Sequence, residues 1–296
     1  MEKVRLICDT TADLTAKEIE ELDIRLVPIP LIVEGEGCLE TDFTPEEFYR
    51  RLEAAREIPA TSHVTSATYL GYYEDAFREG YRRVINVTLN AKGSQSYEAA
   101  CMAVELFFDQ YPQARDQGMQ IAVVDGRSYS LGYGYGVIAA GHILKNGGTF
   151  REALDYLEHF LRCSEVYFSV FTLKFARKSG RISAAAAFAG EVLGFRPVLQ
   201  IKNGEMTIAE KVRGNQAVIA ALARAYEERC RDYSFPYAII RGKNPEPARQ
   251  LEEKLRAISG HKAYGTYYAG ASVAINSGPD LVGVAFLGSE VPPQAE

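Results

Sequence analysis

Five short polar segments stand where strands are expected to end, and their residue types suit the capture of an anion. They are Asp9-Thr10-Thr11-Ala12-Asp13, Thr61-Ser62-His63, residues 90–96, Asp125-Gly126-Arg127-Ser128 and Ser277-Gly278-Pro279-Asp280. In parallel α/β sheets, ligands bind at the carboxyl ends of strands. Hydroxyls and free N–H groups at helix starts favour a carboxylate or phosphate. Taken one at a time, such residues also simply cap helices. Asp9 and Asp13 could hold a divalent cation, as a Mg-dependent phosphotransfer site requires. No second acidic cluster is read after a strand in the same half, so both acids are assigned to capping and turn formation.

Other motifs narrow the chemistry. Gly134-x-Gly136-x-x-Ala139 fits a relaxed dinucleotide pattern, but it falls inside a helical stretch well past the strand ending at Asp125, so close helix packing explains it better. The chain has neither a P-loop nor a Gly-x-Ser-x-Gly elbow, and Ser94 and Ser128 lack a sequence-local base. Lys174, Arg177 and Lys178 read as a solvated face. Arg181, flanked by small and apolar residues, could reach an acid head group. The run from Ala184 to Ala187 leaves a helix that either packs closely or borders a cavity. Four histidines show no ligand spacing, and five dispersed cysteines fit reduced, mostly buried thiols. No catalytic residue, metal or cofactor is implied.

The elements that must position these segments follow from local signals. Short apolar runs at 4–8, 83–88 and 120–125 alternate with helices, which predicts a parallel sheet covered on both faces. Thr15 with Glu18, and Thr149 with Glu152, are capping boxes; Thr44-Pro45 starts another helix. The run 24–33 carries Pro28 and Pro30, so it is expected as an edge or bulged strand. Lys145-Asn146-Gly147-Gly148 marks the boundary between an N-terminal α/β domain (1–148) and a C-terminal one (149–296). The second half reads as a strand (166–171), an Ala-rich helix (182–193), a hairpin around Asn203-Gly204, a helix (215–231), then strand, helix and strand at 237–241, 245–259 and 262–268. A buried strand at 281–287 and a frayed tail at 292–296 close the chain.

With 296 residues, 47% of them hydrophobic, there is ample material for two cores. A net charge of −6 argues against nucleic acid as the main partner. No apolar run reaches the roughly 20 residues of a membrane span, and residues 2–8 read as a strand rather than a signal peptide. A cytoplasmic protein without integral membrane association is expected.

In the order of its motifs the sequence resembles the DegV family of bacterial fatty-acid-binding proteins. The resemblance is carried by residues 9–14, Pro59-Ala60-Thr61-Ser62, residues 89–100, and Val124-Asp125 followed by Ser130-x-Gly132-x-Gly134. In the second half it is carried by Leu173-Lys174, Gly180-Arg181-Ile182, Arg196-Pro197-Val198-Leu199, Lys202-Asn203-Gly204 and Gly278-Pro279. It implies two α/β domains with a ligand tunnel between them. An acyl chain would fill the tunnel, its carboxylate held by Thr61 and Ser94, with Ser62, Arg181 and Asn276 nearby. A separate fatty acid kinase would then phosphorylate the carboxylate, leaving this chain non-catalytic. Departures from the family pattern are Gly93 for Leu, Gln95 for Gly, His63-Val64 for Gln-Pro, Asn276 for His and Asp280 for Gly. An acid at 280 would repel a carboxylate unless it points away. The readings that compete are a Mg-dependent phosphotransferase-related enzyme and a regulatory module that senses a small carboxylate.

Overall fold

The structure is a computed structural model that describes residues 2–182 and 194–288. The Ala-rich helix expected at 182–193 and the tail at 292–296 fall, apart from Ile182, outside the described residues. The first half runs β1 (Val4–Asp9), α1 (Ala16–Glu21), β2 (Ile24–Val27), β3 (Pro30–Val33), β4 (Glu36–Leu39), α2 (Pro45–Ala54), β5 (Ala60–Thr61) and α3 (Ser66–Arg78). It continues through β6 (Arg83–Thr88), α4 (Ser96–Gln110), α5 (Gln113–Asp116), β7 (Gln120–Asp125) and α6 (Leu131–Lys145). Then follow α7 (Phe150–Cys163), β8 (Ser164–Val170), α8 (Lys174–Ser179), β9 (Phe195–Lys202), β10 (Glu205–Arg213) and α9 (Asn215–Arg229). Last come β11 (Ala238–Arg241), α10 (Glu246–Ser259), β12 (Thr266–Tyr268), α11 (Ala271–Ser277) and β13 (Leu281–Leu287).

Strands β2-β1-β6-β7 form the parallel sheet that the alternating pattern predicts. Both capping boxes are present, with Thr15 accepting from the Glu18 N–H and Thr149 from the Glu152 N–H. The run 24–33 is not one strand. It divides at Pro28-Ile29 into β2, at the edge of the parallel sheet, and β3, the middle strand of a small antiparallel sheet β4-β3-β5. Pro30 opens β3, where its missing N–H does least harm. The crossing is pinned by the Ile29 N–H, which donates to Thr10 Oγ1 at 3.0 Å.

The second half is a mixed six-stranded sheet, β10-β9-β8-β13-β11-β12, antiparallel except for β11 beside β12. Of the expected strand 262–268 only β12 pairs. Side chains alternate across this sheet. Tyr167, Val198, Ile239, Val282 and Val284 share a core with Val218 and Leu222 of α9 and Leu251 and Leu255 of α10. The opposite face, Val166, Phe168, Leu199, Ile201, Ile240 and Leu281, joins the core that contains the first-half strands. One sheet therefore serves two hydrophobic layers, and its second layer meets the first half of the chain.

Glycines let α6 approach both neighbours. A methyl at Gly134 would collide with the Ala12 carbonyl oxygen, and one at Gly136 would press on the Phe160 ring. This is the packing role read for the Gly-x-Gly pattern. Gly134→Ala should therefore lower stability by about 1–3 kcal/mol through overpacking. Gly71→Ala, in α3 with open space around it, should instead raise it by up to about 1 kcal/mol. Urea denaturation of the two variants checks this; shifts of the same sign would contradict the close approach.

Candidate functional site

A cavity of about 670 Å³ opens between the loops of the first half and the inner face of the six-stranded sheet. Thr61, Ser62, Ser94, Arg181 and Asn276, drawn from four separate segments, all line it. Thr61 ends β5, whose register against β3 places it opposite Leu31, and the Ser62 N–H donates to the Pro30 carbonyl at 2.9 Å. Ser94 precedes α4. Its hydroxyl lies 2.9 Å from that of Ser96, which itself accepts from the Val64 N–H at 3.2 Å. With a Ser96 lone pair so occupied, Ser96 can give its proton to Ser94, which leaves the Ser94 O–H able to donate into the cavity. Asn276 sits on α11, a helix the sequence reading did not assign, and its amide donates back to the Ser272 carbonyl at 2.6 Å.

Of the four basic residues considered above, only Arg181 lines the cavity. Lys174, Arg177 and Lys178 are exposed on α8, with the Lys178 ammonium on the Ile58 carbonyl at 3.1 Å. Arg181 lies beside Tyr129, whose phenol is pushed up by burial, the nearby guanidinium opposing. The Tyr129 ring also accounts for Gly93, because a Cβ there would collide with the tyrosine hydroxyl. Asp280 does not line this cavity. It borders a separate hollow of about 270 Å³ with Asn215, Asn244 and Gln250, and so does not confront an anion bound at Thr61 and Ser94.

The loops are held from behind by buried acids. Asp9 accepts from the Thr11 N–H at 3.1 Å, the Leu89 N–H at 2.6 Å and the Tyr133 hydroxyl at 2.7 Å, joining the ends of β1 and β6 to α6. Burial pushes its carboxyl up to about 6, the three donors opposing. Asp13 accepts from the Gly270 N–H at 2.8 Å, and Glu40 from the Ser272 N–H at 2.8 Å and the Thr10 hydroxyl. Burial likewise drives Asp13 well above the usual carboxylate range, the Ser130 hydroxyl opposing and the Glu40 charge reinforcing. Glu40, a lone acid after strand β4 in the same half, is brought beside Asp13 by the fold. Among the described residues, no group of three or more His, Cys, Asp or Glu side chains is arranged to hold a metal ion. The observed work of these acids is to fasten the Asp9–Asp13 turn to the start of α11.

The Asn203-Gly204 turn, read as a tight hairpin, has φ of 48° and 76° and docks on the same loops. Asn90 donates to the Gly204 carbonyl at 3.0 Å and Arg127 to Asn203 Oδ1 at 3.0 Å, while Lys92 pairs with Glu205. Asp125 holds the Ala91 and Arg127 N–H groups at 3.0 and 2.9 Å. Sequence reasoning missed the apolar wall formed by Val166, Phe168, Ile201, Met206, Ile240 and Leu281. The apolar run Val166-Tyr167-Phe168 in β8 is buried on both faces and so could not say which face meets a void. All five cysteines are thiols, with Cys8, Cys163 and Cys230 buried. No helix among the described residues is long and apolar enough to cross a membrane.

Fold and site together define a mixed α/β protein with a cavity lined by hydroxyls, Lys92 and Arg181 together with an apolar sheet face. Residues 3–289 match the family described as uncharacterised protein, DegV family. The chain belongs to the DegV family. A DegV domain-containing protein of Streptomyces coelicolor is 28% identical over 284 residues, covering 95% of this chain and 97% of the relative. Among solved structures, the fatty-acid-binding DegV family protein of Thermus thermophilus superposes with a TM-score of 0.83 at 26% identity, covering 97% of this chain and all of that one. A DegV lipid-binding protein of Thermotoga maritima gives 0.82 at 26% identity, covering 98% and 99%.

Proposed function

We propose that this protein holds a long-chain fatty acid in the cavity, its carboxylate at Thr61, Ser62 and Ser94 with Arg181 and Asn276 alongside. The observation that carries the reading is the composition of one continuous lining: hydroxyls and amides with Lys92 and Arg181, joined to the apolar face of the six-stranded sheet. Burying about 14 methylenes at ~0.8 kcal/mol each supplies about 11 kcal/mol toward an association cost of about 4–15 kcal/mol. Neutral donors hold the head group without the desolvation of a fully buried ion pair. The volume falls within the roughly 300–1,000 Å³ usual for small-molecule sites. The two relatives named for binding fatty acid and lipid support the same ligand class.

In this reading, units 1–148 and 149–296 enclose a tunnel, and the chain acts in the cytoplasm as a carrier without catalytic groups of its own. Ser62, His63, Lys92, Gln95 and Arg181 are exposed at the cavity lining. The carboxylate end would therefore be reachable by a separate fatty acid kinase that forms the acyl-phosphate.

Solvent extraction of the purified protein with lipid analysis, together with native mass spectrometry, tests the ligand. One equivalent of a C14–C18 acid is expected. An empty protein that instead binds Mg²⁺ and nucleotide would favour the phosphotransferase reading, and one that takes only a short carboxylate the sensing module.

A further inference from the structure

We propose that Tyr129 is a specificity-determining residue of the head-group site, its phenolic O–H donating to the ligand carboxylate from the space that Gly93 leaves open. This rests on the fatty-acid reading and deepens it, because the phenol favours an ionised acid over an alcohol of the same chain length.

Tyr129 and Gly93 line the cavity together with Ser94 and Arg181. Gly93 stands between β6 and α4, and Tyr129 between β7 and α6, so two paired parallel strands deliver both residues to one end of the sheet. A Cβ on Gly93 would collide with the phenol oxygen, which therefore lies against the backbone one residue before Ser94. Gly93 does not have a positive φ, so backbone conformation does not call for glycine there. The tyrosine hydroxyl does.

Hydrogen bonding of this phenol is one-sided. Its oxygen accepts from the Asn90 amide at 3.4 Å, and among the described residues its own proton has no acceptor. Asn90 is not able to turn and supply one. Its Nδ2 also donates to the Gly204 carbonyl at 3.0 Å, and its Oδ1 accepts from the Lys92 N–H at 3.2 Å. A carboxylate seated at Ser94 answers the unmet donor, because its two oxygens offer about four lone-pair sites for the Thr61, Ser94 and Tyr129 protons. The Arg181 guanidinium beside the phenol polarises its O–H toward an anion. An alcohol has one oxygen and no charge, so it gains less from the same donor.

The test is a competition assay with palmitate and hexadecanol on the full chain and on Tyr129→Phe, which removes only the phenol oxygen. Palmitate is expected to weaken about tenfold and hexadecanol less than about threefold, as for the loss of a hydrogen bond to a charged group. Palmitate labelled with carbon-13 at the carboxyl and at the terminal methyl adds an NMR signal that a merely structural role would not move selectively. The substitution should shift the bound carboxyl resonance and leave the methyl resonance in place. Gly93→Ala, accompanied by a thermal melt, is the second variant. By displacing the phenol it should weaken palmitate in the native background and add little in Tyr129→Phe, because both changes act through one group. Native palmitate affinity with an unmoved carboxyl signal in Tyr129→Phe would overturn the proposal and leave the fatty-acid reading standing. So would equal losses for palmitate and hexadecanol. If Tyr129→Phe folds poorly, unchanged palmitate affinity in Gly93→Ala overturns it instead. Failure of the native chain to bind palmitate at all defeats the fatty-acid reading and this proposal with it.

Discussion

Alanine at positions 61 and 94 together is expected to weaken palmitate binding by at least tenfold. Hydrogen bonds to a charged group contribute about 1.5–3 kcal/mol each, and each 1.4 kcal/mol is a factor of ten. The loss of two such bonds is tempered because Ser62 and Arg181 remain on the same lining and water can replace part of the missing pair. Burial of the acyl chain is untouched, so affinity falls without vanishing. Hexadecanol, which has the chain without the carboxylate, should lose much less. Ser94→Ala also removes the acceptor for the Ser96 N–H at 3.2 Å, so a thermal melt must accompany calorimetry. Unchanged palmitate affinity in a folded double variant would remove Thr61 and Ser94 from the head-group site.

Asp9→Ala should cost on the order of 3 kcal/mol or more of folding stability. It strands the Thr11 and Leu89 N–H groups and the Tyr133 hydroxyl, and a buried donor left without an acceptor costs about 1–3 kcal/mol. The offset is the burial of the carboxylate itself, which raises its pKa from 3.8 to about 6. That shift has a measurable sign. Between these values the native state binds a proton that the unfolded chain has released, so stability from this group is full below about pH 4 and is lost as pH rises through about 6. Asp9→Asn keeps the shape and cannot titrate. On going from pH 7 to pH 5, the native sequence should gain about 1 kcal/mol relative to Asp9→Asn in urea titrations. Asp13 and Glu40 stay in both proteins, so the difference belongs to position 9. Parallel pH curves would show that Asp9 is not the raised carboxyl.

Much of the site was legible because hydroxyl-rich segments at strand ends have few uses. Thr61, Ser62, Ser94, Arg181 and Asn276 were named from such segments and the family resemblance, and all five line one cavity. Thr11, Ser130 and Ser272 were not assigned to it. Thr11 and Ser130 sit in motifs that local reading explains as a turn and a helix start, and α11 is a seven-residue helix whose N-cap, Gly270, offers no side chain to mark it. Glu40 was passed over because an isolated acid after a four-residue strand carries no pattern. Its partner Ser272 stands 232 positions away.

What the sequence alone determined were features decided within a few residues. The capping boxes at Thr15 and Thr149 and the Asn203-Gly204 turn follow from backbone sterics and from groups three or four positions apart. Only the tertiary structure decided which face of the six-stranded sheet borders the cavity, that Pro28-Ile29 carries the chain from one sheet to another, and that Asp280 lies at a separate hollow. It also decided that the Asn90 amide meets Gly204 across 114 residues and that the Thr11 hydroxyl meets Ser272 across 261. The physical reason is range. Hydrogen bonds and steric limits act over a few ångströms, so they leave a local pattern when the partners are near in sequence and none when the fold alone brings them together.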